Sequence, residues 1–200
     1  MRKNSRDKIL ETARSLFPRY GYNGISIREI AANAKLTTGA VYFHFKNKKD
    51  IYKAICMEAI DILINKFRDG IAKKDTPNKK LISTFDSYLS FFEENRDYYN
   101  ILMEAKADYS IEDQEFHNIA AKFQELIEVS EEPIRMGIQN KTFREVDPRM
   151  LSMLLAAVTE GMMQYKKMGM LDIMNISDTD FRNFMADIIG NGIQSEKKEI

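Results

Sequence analysis

An all-α chain of about nine helices is the fold class this 200-residue sequence predicts. Three observations predict it. No segment shows the apolar–polar alternation of a half-buried strand, while apolar residues recur at three- and four-residue spacing along most of the chain. Breakers are scarce, 9 Gly and 4 Pro. Two of the prolines mark helix starts: Thr76-Pro77 and Asp147-Pro148 each pair a capping side chain with Pro at the first helical position, where its missing N–H is no loss.

The elements follow in order. Residues 1–7 form a basic arm, and Asn4 or Ser5 caps helix 1. Pro18 removes one hydrogen bond from that helix and bends it or ends it early. Ser26, three residues before Glu29, makes a capping box for helix 2. Ile27, Ile30, Ala31 and Ala34 then share one face, and Ala31 is small enough for close approach of the next helix. Lys35 and Leu36 make a turn with Leu36 inward; Thr37 or Thr38 caps helix 3, whose Ala40 and Val41 face the core. Asn47 caps helix 4, from Lys48 to about Ile71, and 73–80 is a polar linker. Helices 5 and 6 occupy about 78–94 and 96–107. Ser110 opens a long helical segment to about Asn140, kinked by Pro133. Helix 8 runs from Pro148 to Gly169, and helix 9 from Ser177 to near Gly190.

Composition narrows the function. Net charge is zero, but residues 1–50 carry 11 Lys+Arg against 4 Asp+Glu (+7) and the remaining 150 carry 19 against 26 (−7). A basic head on an acidic body is the footprint of a nucleic-acid-binding head. One cysteine, Cys56, excludes an internal disulfide and sits in an apolar run as a buried, inert thiol. No Cys/His cluster has metal spacing, and His44 has no partner nearby, so no metal and no cofactor is expected. No apolar stretch approaches the roughly 20 residues of a membrane span, and the charged N-terminus lacks an apolar signal region, so a cytoplasmic location is expected. Catalysis is not expected: there is no Ser/His/Asp grouping and no Gly-rich phosphate loop, and the histidines are His44 and His117.

Residues 26–45 read as two short helices joined by a tight turn, the second presenting Thr38, Gly39, Tyr42 and Phe43, which is how one helix is placed in a DNA groove. This stretch resembles the TetR family of transcriptional regulators. The resemblance extends upstream to Ile9–Phe17 with Gly21-Tyr22, and downstream to Tyr42-Phe43-His44-Phe45-Lys46-Asn47-Lys48-Lys49-Asp50. It covers roughly the first 55 residues. Lys35 stands where the family usually has Gly in the turn, which demands a left-handed backbone at a non-glycine residue. The resemblance implies a helix-turn-helix DNA-binding domain (1–47) and a helical ligand-binding and dimerisation domain (48–200). The body's likeness is much weaker than the head's; Phe143–Pro148 looks like the family's turn before helix 8.

Roles follow from side-chain chemistry. Lys46, Lys48 and Lys49 at the mouth of helix 4 neutralise phosphates, helped by the helix's positive end. Tyr42 and His44 resemble the family's aromatic phosphate contacts, and Thr37 and Thr38 bond phosphates or base edges. Phe45 packs inward; Phe43 is open between core and DNA. Helix 3 lacks Arg, Asn and Gln, so Arg28 is the candidate guanine contact. Thr38, Ala40 and the Gly39 backbone feel thymine methyls, and Arg2, Lys3 and Arg6 enter the minor groove as an arm. Helix 8 is apolar on more than one face, so it is either central in a monomer or paired with a second copy; the resemblance favours the second, with Met153, Ala157 and Met163 and Phe184 and Ile188 of helix 9 as the expected homodimer interface. Tyr88, Phe91, Phe92, Tyr98, Tyr99, Met103, Phe123, Met136 and Met162 are candidates to line a site for a hydrophobic effector, each with ordinary core as the alternative. The expected protein is a repressor on a palindromic operator, released by that small molecule. The competing reading keeps DNA binding but works through a protein partner, or as an activator.

Overall fold

The computed structural model describes residues 4–107 and 117–194. Ten helices appear among them: α1 (Ser5–Tyr20), α2 (Ile27–Asn33), α3 (Thr38–His44), α4 (Lys48–Ala72), α5 (Pro77–Glu94), α6 (Arg96–Ala107), α7 (His117–Gln139), α8 (Pro148–Lys167), α9 (Met170–Ile173) and α10 (Asp178–Ile193). None is long and apolar enough to cross a membrane. The described residues group into two compact units, one made of those within 4–62, 94–107 and 117–122, the other of those within 63–93 and 123–194. Compactness therefore divides α4 within its length instead of at residue 47, and places α6 with the N-terminal helices.

In the first unit, Asn4 is the cap of α1, accepting from the Asp7 N–H at 2.9 Å. Contrary to expectation, α1 runs past Pro18. Pro18 lies in the last turn, where the only helical bond it forfeits is its own. Gly21, at φ +72°, then ends the helix and donates its N–H to the Phe17 carbonyl at 2.8 Å. Ile9, Leu10, Ala13 and Phe17 are buried, and α1 packs against α2, α3 and α6. Tyr22 and Tyr52 meet edge to face at 5.0 Å, with Phe17 against both. The Tyr52 hydroxyl donates to the Ile101 carbonyl, tying α4 to α6. Cys56 is fully buried, and burial pushes its thiol up to about 12. The native protein is therefore expected to leave a water-soluble disulfide reagent unreacted, with one equivalent consumed only on unfolding; rapid native modification would refute this burial.

In the second unit, α4 and α5 approach closely. A Cβ on Gly70 would sit 2.6 Å from Ser87 Oγ, which instead donates to the Lys66 carbonyl at 3.0 Å. α7 continues through Pro133 and ends at a left-handed Lys141 (φ 56°); its expected start at Ser110 lies outside the described residues. Glu131 on α7 is 1% exposed and carries two arginines, Arg135 one turn on and Arg149 of α8, whose Nε donates at 2.9 Å. Burial raises its carboxyl, but the hydrogen bonds from Arg149 and Arg135 outweigh burial and hold it below the usual carboxylate value. Between α7 and α8, Phe143 is buried with Leu81, Ile134 and Ile193, and Arg144 N–H donates to the Ile193 carbonyl at 2.8 Å. α9 is an addition to the expected nine helices. Left-handed Gly169 (φ +73°) ends α8 and starts it, and left-handed Asn175 (φ 55°) follows it. α10 then opens on a Ser177–Asp180 capping box.

Candidate nucleic-acid interface

Local interactions set the two short helices. The Ser26 hydroxyl accepts from the Glu29 N–H at 3.2 Å, and the Glu29 carboxylate accepts from the Ser26 N–H at 2.8 Å. That hydrogen bonding holds Glu29 below its ordinary value, so the box is charged at neutral pH. Lys35 adopts the left-handed conformation expected of it, φ 56°. The Leu36 N–H then returns to the Ala31 carbonyl at 2.9 Å. Leu36 itself is only half-buried. Thr37, not Thr38, caps α3, accepting from the Ala40 N–H at 3.1 Å. Asn47 caps α4 by accepting from the Asp50 N–H at 2.9 Å, and Asp50 accepts in return from the Lys46 N–H at 3.1 Å.

Val41 and Phe45 are the buried anchors of this segment. With them turned inward, Gly39, Tyr42 and Phe43 face solvent, while Thr38, Ala40 and His44 are half-buried. Phe43 settles outward at 84% exposure, its ring edge-on to His44 at 5.0 Å. Among the described residues, an aromatic side chain this bare on a seven-residue helix is no part of the core. Arg28 is exposed in the first turn of α2, and Lys46 is exposed just ahead of α4.

Two basic residues depart from their expected places. Arg6 is part of α1, not an arm; its guanidinium lies 5.6 Å from the centre of the Phe45 ring, because helix formation from Ser5 onward turns it back onto the domain. Lys48 points its ammonium at the Tyr22 and Ile25 carbonyls, at 2.6 and 2.7 Å, instead of leaving it to solvent. Lys49 is half-buried, and Arg2 and Lys3 lie outside the described residues.

In the second unit α8 and its C-cap expose an apolar stripe: Met150, Met153, Leu154, Ala157, Val158, Tyr165 and, at the cap, Met168, with Gly161 in open space among them. Phe184 and Ile188 of α10 are exposed as well. Met163 does not belong with them. It is fully buried, since ten residues beyond Met153 is about 280° around a helix of 3.6 residues per turn. Tyr165 and Met168 extend the stripe at the same 3- and 4-residue spacing, a signal present in the sequence. Ile173 and Met174, also exposed, belong to the unforeseen α9 and its end.

The effector candidates divide between the units: Tyr98, Tyr99 and Met103 in the first, the other six in the second. Tyr99, Phe91, Phe92 and Met162 are packed core, and Phe123 is half-buried. Half-buried Tyr98 donates to Glu58 at 3.0 Å, with the Arg14 guanidinium 4.6 Å over its ring, and half-buried Tyr88 donates to Glu160. Met136 lines a cleft of about 510 Å³, but Arg68, Glu125, Glu128, Glu132 and Arg135 make that cleft charged, not apolar.

The family model for bacterial regulatory proteins of the tetR family matches residues 9–55, the helices described above. The transposon Tn10 TetC protein of Escherichia coli is 37% identical over 95 residues, 46% of this chain and 47% of that protein. The transcriptional repressor KstR2 of Mycolicibacterium smegmatis is 28% identical over 80 residues, 40% of this chain and 39% of that one. The matched segments thus span less than half of either relative. The fold likeness extends over the whole chain: a regulatory protein of the tetR family from Rhodococcus RHA1 superposes with a TM-score of 0.78 at 19% identity, covering 98% of this chain and 100% of that one. The helix-turn-helix of this chain thus lies inside the segment that matches the tetR family of bacterial regulatory proteins, and an all-α body follows it.

Proposed function

We propose that this chain is a cytoplasmic, DNA-binding transcriptional repressor that acts as a homodimer on an inverted-repeat operator and is released by a small hydrophobic effector. The observation that carries the reading is α3. Its caps and its anchors Val41 and Phe45 hold it in place while Gly39, Tyr42 and Phe43 project outward. Residues 1–47 supply the reader in this reading; the rest supplies pairing and control. Phosphates are met by Lys46, Lys49, Tyr42, His44 and the threonines, with any arm at Arg2 and Lys3 adding contacts. A two-fold pair would set its α3 helices one duplex turn apart, about 34–36 Å, or a multiple of it. The apolar stripe of α8 with Phe184 and Ile188 is the pairing surface in this proposal. Repression is the mode of the KstR2 relative and is the mode proposed here.

Operator selection from random duplexes tests the reading. Enrichment of a palindrome supports it; no enrichment over bulk DNA in moderate salt defeats it. On the selected operator, Arg28→Ala is expected to cost about 1–3 kcal/mol and to relax preference at one base pair per half-site. Equal losses on operator and random DNA would remove Arg28 from base reading. The effector is tested separately by thermal shift with hydrophobic drugs, acyl-CoAs and flavonoids, and no shift with any of them withdraws the hydrophobic effector.

A further inference from the structure

Lys48 stands at the first position of α4, yet its ammonium is used inside the domain. Nζ donates to the Tyr22 carbonyl at 2.6 Å and to the Ile25 carbonyl at 2.7 Å, and it lies 4.3 Å from the centre of the Tyr22 ring. Two carbonyls and a ring face match the three donors of a lysine ammonium. Both carbonyls belong to the turn between α1 and α2. Within that turn Gly21 takes a positive φ and Asn23 and Gly24 are exposed, so apart from buried Ile25 it is held by contacts to its flanks: Gly21 N–H to the Phe17 carbonyl at 2.8 Å and Tyr22 N–H to Glu104 at 3.5 Å. One helical turn beyond Lys48, Tyr52 meets the same Tyr22 ring edge-on at 5.0 Å. The first two turns of α4 therefore grip Tyr22 from two sides, by charge and by packing. The gripped segment ends at Ile25; Ser26, the cap of α2, is next, and Arg28 follows two residues later.

We propose that Lys48 is a positioning residue: it latches the α1–α2 turn to α4 and so sets where the start of α2 presents Arg28, giving discrimination between operator and random DNA instead of neutralising a phosphate. The proposal rests on the DNA-binding reading above. A phosphate contact from Lys48 would require its ammonium to abandon two short charge-assisted hydrogen bonds. Exposed Lys46 faces no such cost.

Lys48→Met keeps the aliphatic stem and removes the donors. It is expected to weaken operator binding about tenfold, to leave random-duplex binding within about twofold, and to leave the salt slope of log K unchanged. Amide exchange should quicken in residues 21–26 while α3 stays protected. Lys46→Ala is the contrast, with the slope reduced by about 0.9 and both DNAs losing alike. A reduced slope with equal losses for Lys48→Met would overturn the latch. The wild-type protein gives a second test that no folding defect can blur: reductive methylation without DNA should modify Lys46 and spare Lys48. Equal modification of the two lysines would also overturn it. If the wild type selects no operator, the DNA-binding reading fails, and methylation still reports whether the latch exists.

Discussion

Leu154→Glu combined with Phe184→Glu is expected to yield a monomer with unchanged helix content and operator affinity lowered by at least about 100-fold. Within one chain these side chains are 59% and 61% exposed, so the substitutions remove little packing and the fold should persist. Across a two-fold interface each would enter twice. A buried Leu or Phe contributes about 1.5–3 kcal/mol, and each carboxylate forced out of water costs several kcal/mol more. The sum exceeds what a standard homodimer can lose at micromolar concentration. A monomer then binds one half-site and forfeits the effective concentration that links the two. Sedimentation equilibrium and fluorescence anisotropy on the selected operator measure both effects. A double variant that remained dimeric at micromolar concentration would move the pairing surface elsewhere. Met163→Glu supplies the opposite control: because Met163 is fully buried in its own chain, that change should unfold the protein instead of separating it.

Phe143→Ala is expected to carry the largest stability loss of any single truncation in the loops, about 3–5 kcal/mol. Phe143 is 2% exposed and belongs to the cluster of Leu81, Ile134 and Ile193, with Ile138, Val146, Leu151, Leu155 and Ile189 against it. Its ring occupies the space a side chain on Gly137 would need: a Cβ there would lie 2.1 Å from the ring. The Gly137 carbonyl also accepts from the Thr142 and Phe143 N–H groups, at 2.9 and 3.0 Å. Truncating the ring opens a void that neighbouring backbone cannot fill, whereas Gly137→Ala overfills the same place and is expected to cost about 1–3 kcal/mol. Denaturant unfolding with an unchanged m-value would measure both. A loss under about 1 kcal/mol for Phe143→Ala would mean that the ring is not a core element.

Phe143 also shows where reading from sequence stops. The run Phe143–Pro148 resembles the family's turn before helix 8, but in the structure it is an irregular connection that pairs Phe143 with Gln194, and nothing in six residues says that its first side chain is buried in the second unit's core. The partners that bury it come from α5, α7 and α10. Met163 is the opposite case: helical period alone puts it about 280° around α8 from Met153, off the exposed face, and the structure buries it. Arg6 reads as a free basic arm in sequence because its cation–ring partner, Phe45, lies far along the chain.

What the residue order alone determined is closed within about four positions: the Ser26–Glu29 box, the caps at Asn47 and Ser177, and the helix starts at Pro77 and Pro148, whereas the choice of Thr37 over Thr38 waited for the structure. These depend on backbone groups whose partners are adjacent by covalent geometry. Only the tertiary structure decided which copy of an abundant side chain does what. Three lysines cluster at the mouth of α4 with the same local context, and one of them reaches carbonyls 26 and 23 residues away. Glu131 likewise keeps its charge while buried because Arg149, 18 residues on, is brought to it. A flexible, charged side chain takes its role from where the folded chain delivers its partner, and no short window of sequence contains that distance.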